Sequence, residues 1–215
     1  MARQKNTNPQ NGINSDDLRD DFAPSMNKIR RQVAVFCGAR EGDSDLIKSS
    51  AKDLIDALAE NSCDLVYGGG HAGLMGVIAD HGLKVGIKVT GVIPKFMMDV
   101  EAAHTGLTSL QVVVSMHERK ALMAELADMF IAIPGGFGTL DEIFEIITWR
   151  QIGLHNKIIG LLNVDSYFDQ LVLFLRHAVQ TGFISEEHLA SLIIDEDPYR
   201  LIQKMNLANE FIRKT

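Results

Sequence analysis

Cysteine is scarce in this 215-residue chain, which holds only Cys37 and Cys63. Both stand beside apolar strand-like runs, and two thiols supply neither a disulfide framework nor a zinc pattern. Long hydrophobic runs are also missing. No apolar stretch approaches the ~20 residues of a membrane span, and no signal-peptide segment is recognisable, so a cytoplasmic protein is expected. There is no basic excess either: Lys plus Arg number 21 against 28 Asp plus Glu, a formal charge of −7. That balance offers no general attraction to nucleic acid or an anionic membrane, so an anionic ligand needs a local site. The rest is ordinary. Apolar residues make up 46% and charged residues 23%, enough to bury a core in one domain of the usual size, roughly 100–200 residues.

Residues 1–27 are rich in Asn, Asp, Gln and Arg and include Pro9 and Pro24, with few large apolar groups. Such a segment does not offset its ordering entropy, so a disordered arm is expected there, with the folded unit at residues 28–212. Within that unit, β-branched apolar runs at 32–36, 65–67, 89–93, 110–114, 130–133 and 158–162 alternate with helix-length segments. Those segments lie at 45–60, 74–83, 116–128, 140–151, 167–180 and 197–209. Runs apolar on both faces suit strands covered on both sides. The expected architecture is α/β: a doubly wound, Rossmann-like parallel sheet with helices on both faces. Ligands in such sheets bind at the carboxyl ends of the strands, so the turns there are the places to look.

Three turns stand out. In the first, Gly68, Gly70 and Gly73 spell G-x-G-x-x-G, a dinucleotide fingerprint. The next strand, however, ends Ile93-Pro94-Lys95 without the acid that would hold a ribose, which disfavours NAD. Bare amides around Gly69 and Gly70 could still meet a phosphate; the plainer alternative is a tight strand–helix turn. The second turn, Pro134-Gly135-Gly136-Phe137-Gly138-Thr139-Leu140-Asp141-Glu142, offers amides and a hydroxyl at a helix start, a ready anion site. No Gly-Lys-Ser/Thr follows, so it is not a Walker loop. Glu142 has two readings: it completes a Thr139-x-x-Glu142 capping box, or it is a catalyst. The third turn is Ser115-Met116-His117-Glu118-Arg119-Lys120. Ser115 and Glu118 fit a capping box, while Arg119 and Lys120 sit where the helix dipole disfavours cations, which suggests an anionic partner. His71, His117 and His155 lie in or near turns without metal-ligand spacing, so no metal is expected.

Residues 134–142 match P-G-G-x-G-T-x-x-E, and residues 115–120 carry M-H-E-R-K. Together they resemble the LOG (Lonely Guy) family of cytokinin-activating phosphoribohydrolases, once filed as lysine decarboxylase-like. The resemblance extends to residues 35–38, 67–76, 91–95, Glu101 with Gly106-Leu107-Thr108, and residues 146–149 and 160–165. It implies hydrolysis of the N-glycosidic bond of N6-substituted adenosine 5′-monophosphates, and often AMP, to free base and ribose 5-phosphate. It implies Arg119 and Glu142 as catalytic residues. Nucleotide contacts are implied at Glu101, Arg119, Lys120, Gly135, Gly136, Phe137, Gly138, Thr139, Leu140, Asp141 and Thr148. A homodimer without cofactor is the family habit. One departure is Ala39-Arg40 after Cys37-Gly38, where many members have two serines.

The residue types suit the reaction. Cleavage at C1′ builds oxocarbenium charge, which a carboxylate stabilises while orienting water; Glu142 is the candidate. Phosphate binding at the glycine turn would position the sugar. Two rivals remain open: a nucleotide- or cofactor-binding carrier without turnover, and a decarboxylase with pyridoxal phosphate on Lys95, Lys120 or Lys157.

Overall fold

The computed structural model describes Met1 and residues 30–212; the arm expected at 1–27 lies, Met1 apart, outside the described residues, as do residues 213–215. Seven parallel strands run β1 (Arg31–Phe36), β2 (Cys63–Tyr67), β3 (Val89–Pro94), β4 (Ser109–Val113), β5 (Met129–Ala132), β6 (Ile158–Leu162) and β7 (Leu192–Asp195). Their spatial order is β4-β3-β2-β1-β5-β6-β7. The helices are α1 (Asp45–Glu60), α2 (Gly73–Lys84), α3 (Met116–Leu126), α4 (Phe137–Gln151), α5 (Asp169–Gln180), α6 (Glu186–Ala190) and α7 (Pro198–Ile212).

Period-2 alternation explains the double winding. Val33, Val35, Leu65, Tyr67, Met129 and Ile131 join one buried cluster with α1, α2 and α7. Their neighbours Ala34, Phe36, Val66, Phe130 and Ala132 join the other, with α3, α4 and α5. In α1 the buried residues Ile47, Ala51, Leu54, Ile55 and Leu58 fall on one helical stripe, and each large aliphatic side chain removed from water contributes roughly 1.5–3 kcal/mol.

Two elements escaped the sequence reading. β7 is an edge strand of only four residues, and α6 preceding it has only five, too short for a periodic signal. The start of α4 also needs correction. It begins at Phe137, not at residue 140, because the glycine turn is shorter than a count to the first large apolar side chain suggests.

Candidate active site

The strand order reverses beside β1: β2 lies on one side and β5 on the other. At such a switch point the loops leave in opposite directions and open a crevice. A cleft of about 820 Å³ occupies it, walled by loop 38–44 after β1, Gly68 after β2, residues 134–139 after β5, and Asp165 and Tyr167 after β6. Val35, Ile47, Leu74 and Met75 supply its apolar surface, and Cys37, Glu101, Arg119, Asp141 and Glu142 its chemistry.

The glycine turn enters α4 through Gly136, whose backbone is extended and which forms no side-chain cap. The first backbone bond of the helix runs from Leu140 N to Gly136 O at 3.1 Å. The N–H groups of Phe137, Gly138 and Thr139 are therefore free of intrahelical partners at the positive end of the dipole. Thr139 is 3% exposed, and its hydroxyl is buried with no partner among the described residues. The capping-box reading of Thr139 and Glu142 is thus overturned: Thr139 sits inside the first turn and caps nothing. A Cβ at Gly135 would strike Thr139 Oγ1 and Gly38 N, so only glycine lets the turn close down on that hydroxyl. Tyr167 Oη donates to Gly135 O at 2.6 Å, which fixes the plane of the following peptide.

At the third turn the Ser115 cap forms as expected, while Glu118 reaches back one residue beyond it, to Val114. Ser115 Oγ accepts from Glu118 N at 3.1 Å, and Glu118 Oε2 accepts from Val114 N at 2.8 Å. This anchors the start of α3 and turns Arg119 inward, where it is 4% exposed. Its Nε donates to Val92 O (3.2 Å), and its Nη2 to Gly68 O (2.9 Å) and Glu101 Oε2 (3.4 Å). Among the described residues Nη1 meets only the thioethers of Met97 and Met116, at 3.8 and 4.0 Å, weak acceptors that leave its hydrogens for a ligand.

Glu142 projects from α4 into the same cleft. Burial pushes its carboxyl up to about 7; Arg119 pulls the other way, while Glu101 and Asp141 reinforce the rise. Burial likewise raises Glu101 against the pull of Arg119. Cys37 is a free, buried thiol held well above its ordinary range by desolvation and by Glu142, and so is a poor nucleophile.

Glu101, Arg119, Gly135, Gly136, Phe137, Gly138, Thr139, Asp141 and Glu142 all line the cleft, as expected from sequence. Gly69, Gly70, Lys120, Leu140 and Thr148 do not. Gly69, at φ +79°, packs against Ile93 and Val92, and Gly70 packs against Glu101 and Met75, so the triple glycine mainly serves close backbone approach. Lys120 pairs with Asp141 and Glu145, each at 3.2 Å. Leu140 packs on the core, and exposed Thr148 donates to Phe144 O. Sequence reading missed loop residues 41–44, Met97, Asp165 and Tyr167, which reach the cleft only because β1, β3 and β6 end around it. Asp165 and Ser166 both hold left-handed backbone (φ 56° and 55°), and Asp165 accepts from Ser44 Oγ at 3.1 Å.

His71, Asp80 and His104 converge outside the cleft, with potential ligand atoms within 4.8 Å of one another. His104 Nδ1 accepts from Gly106 N (3.0 Å), so the ring hydrogen sits on Nε2 and is donated to Asp80 at 2.9 Å. With both nitrogens engaged, His104 has no lone pair for an ion. The cluster instead clasps α2 to the loop carrying Glu101, whose backbone also takes His71 N and gives His104 N to Gly69 O.

A family model described as "Possible lysine decarboxylase" matches residues 75–205. A cytokinin riboside 5′-monophosphate phosphoribohydrolase of Rhodococcoides fascians is 47% identical over 168 residues, 78% of this chain and 85% of the relative. One of Arabidopsis thaliana is 42% identical over 182 residues, 84% of this chain and 85% of the relative. Among solved structures, the molybdenum cofactor binding protein from Rippkaea orientalis superposes with a TM-score of 0.61 at 19% identity, covering 85% of this chain and 98% of its own. The Moco carrier protein from Chlamydomonas reinhardtii gives 0.61 at 15%, covering 86% and 99%; at such identities the likeness is one of fold. A lysine decarboxylase of the pyridoxal phosphate type needs a lysine at the reacting centre. No lysine lines the cleft among the described residues, and Lys157 is spent on Ala124 O at 2.7 Å, so these residues do not fit that cofactor.

Proposed function

The chain belongs to the LOG family of cytokinin riboside 5′-monophosphate phosphoribohydrolases, and from that premise we propose that it hydrolyses N6-substituted adenosine 5′-monophosphates, and AMP as well, to free base and ribose 5-phosphate. The observation that carries this reading is convergence: Glu142 of α4 and Arg119 of α3 share one cleft with the unpartnered amides and hydroxyl of residues 137–139.

In this reading the 5′-phosphate sits on those amides and on Thr139 Oγ1, a remote anchor that sets the sugar in place for reaction. Glu101 accepts from ribose hydroxyls, and Arg119 Nη1 donates to the ribose. The Glu142 carboxylate faces C1′, stabilises its developing positive charge and takes a proton from the attacking water. The water oxygen bonds to C1′ as the C1′–N9 bond breaks, its electron pair leaves with the base, and the proton passes to that base. A carboxyl raised to about 7 is poised for such transfers near neutrality. The same carboxylate argues against a pure carrier, since it would oppose binding of an anion and bring nothing in return. Apolar Ile152 and Leu154 stand exposed just beyond α4 and support the homodimer implied by resemblance, a point for sedimentation analysis. The free thiols of Cys37 and Cys63 support a cytoplasmic setting, and no helix among the described residues is long and apolar enough to cross a membrane.

The test is chromatographic. Purified protein is incubated with isopentenyladenosine monophosphate, AMP and the two unphosphorylated ribosides, and the released base is measured. Preferential release from the monophosphates is expected. Preference for the ribosides would refute the phosphate anchor, and absence of any released base would refute the hydrolase reading.

A further inference from the structure

The mouth of the cleft is short of positive charge. Glu41, Asp43, Asp141 and Asp165 stand exposed around it. A nucleoside monophosphate brings up to about two negative charges there, while the amides at a helix start supply only about half a positive one. A cation at the mouth would add to that half-charge, and the nearby ones are engaged elsewhere. Arg119 is buried on two carbonyls and Glu101, and its remaining Nη1 is the group assigned above to the ribose. Lys48 is bound to Glu41 at 2.6 Å, and Lys120 to Asp141 and Glu145. Arg40 differs: it lines the cleft, is exposed, and has no acidic partner among the described residues.

The backbone sets its place. Gly38 N donates to Pro134 O at 3.1 Å. A Cβ at Gly38 would lie 3.3 Å from Gly135 Cα and 3.0 Å from Arg40 O, so the turn folds Arg40 back beside the anion-binding turn. On its other flank, Gly73 (φ +62°) has no room for a Cβ, which would strike the backbone of Ala39 and Arg40. Residue 40 is thus wedged between the start of α2 and the 134–139 turn. Its Cα lies at most about 7 Å from that of Gly38, well inside an arginine's reach of the amides. Its planar fork suits two phosphate oxygens.

We propose that Arg40 is the counter-charge for the 5′-phosphate of a nucleoside monophosphate and sets the preference for nucleotide over nucleoside. The proposal rests on the phosphate placement given above but not on turnover. It replaces the two serines of many family members with a full charge, and therefore makes binding depend on salt.

The experiment is calorimetric titration of AMP, ribose 5-phosphate and adenosine into the full chain, its Arg40→Gln variant and its Arg40→Lys variant. Arg40→Gln is expected to weaken both phosphorylated ligands about tenfold, the scale of one charge-assisted contact at an exposed site, and to flatten their salt dependence. Arg40→Lys should restore most of the loss, and adenosine should bind all three proteins alike. Unchanged AMP affinity in Arg40→Gln, or equal weakening of AMP and adenosine, overturns the role of Arg40. A wild-type protein that binds no AMP overturns the reading of the cleft itself.

Discussion

Glu142→Gln should yield a protein that is more stable and nearly inactive, and the stability gain should depend on pH in a calculable way. In the folded chain burial raises this carboxyl from 4.5 to about 7. A group whose folded pKa is raised holds its proton more tightly when folded. Its contribution is therefore undiminished below about pH 4.5 and is withdrawn as pH climbs through 7. At about 1.4 kcal/mol for each pH unit between the two values, close to 3 kcal/mol is withdrawn by neutrality. Near pH 5 less than about 1 kcal/mol has gone. Glutamine keeps the size and carries no charge, so the variant should gain about 2 kcal/mol on the wild type between pH 5 and pH 8. With a urea m-value of about 2 kcal/mol/M, the gap between the two denaturation midpoints widens by about 1 M. Base release from the monophosphate should meanwhile fall by ~10²–10⁴, and wild-type kcat/KM should decline below about pH 7 as the carboxylate protonates. Midpoint gaps equal at both pH values would refute the desolvation argument. Near-normal turnover in the folded variant would refute the catalytic one.

Other consequences are simpler to check. Tyr167→Phe removes the bond to Gly135 O; KM for the monophosphate should rise by about three- to tenfold with stability changed by no more than about 1 kcal/mol, read from steady-state kinetics beside a thermal melt. Ser115→Ala deletes the cap accepted from Glu118 N and should cost about 1 kcal/mol in urea titrations, with Arg119 less well placed and kcat reduced. Asp195, held well below the usual carboxylate range by Arg200 and Lys204 against its own burial, contributes stability that is present above about pH 4 and lost as pH falls below it. Asp195→Asn should therefore destabilise the protein by roughly 1–2 kcal/mol at pH 7, with the deficit shrinking in acid denaturation curves recorded toward pH 3.

Some of this was legible in the residues alone. Alternation of β-branched runs with amphipathic segments dictates a doubly wound sheet, because a strand apolar on both faces must be covered on both faces. The glycine turn at 134–139 pointed to open amides at a helix start, and the structure sets that turn in the cleft wall. Lys120 shows where such reading stops. Its place in the sequence suggests a ligand contact, but two carboxylates on α4 reach it first. Likewise the triple glycine advertises phosphate, but Gly69 and Gly70 are spent on backbone approach to β3 and the Glu101 loop.

The amino-acid order by itself determined the elements and the local caps, such as Ser115 on Glu118, because those depend on neighbours three or four positions apart. Only the tertiary structure decided which strand ends meet. The order β4-β3-β2-β1-β5-β6 brings Arg40, Arg119, Glu142 and Tyr167 around one cleft from the segments that follow β1, β4, β5 and β6, and residues so far apart along the chain carry no mutual signal. The same closure supplied the desolvation that lifts Glu142, a property of the surrounding volume that no single residue encodes.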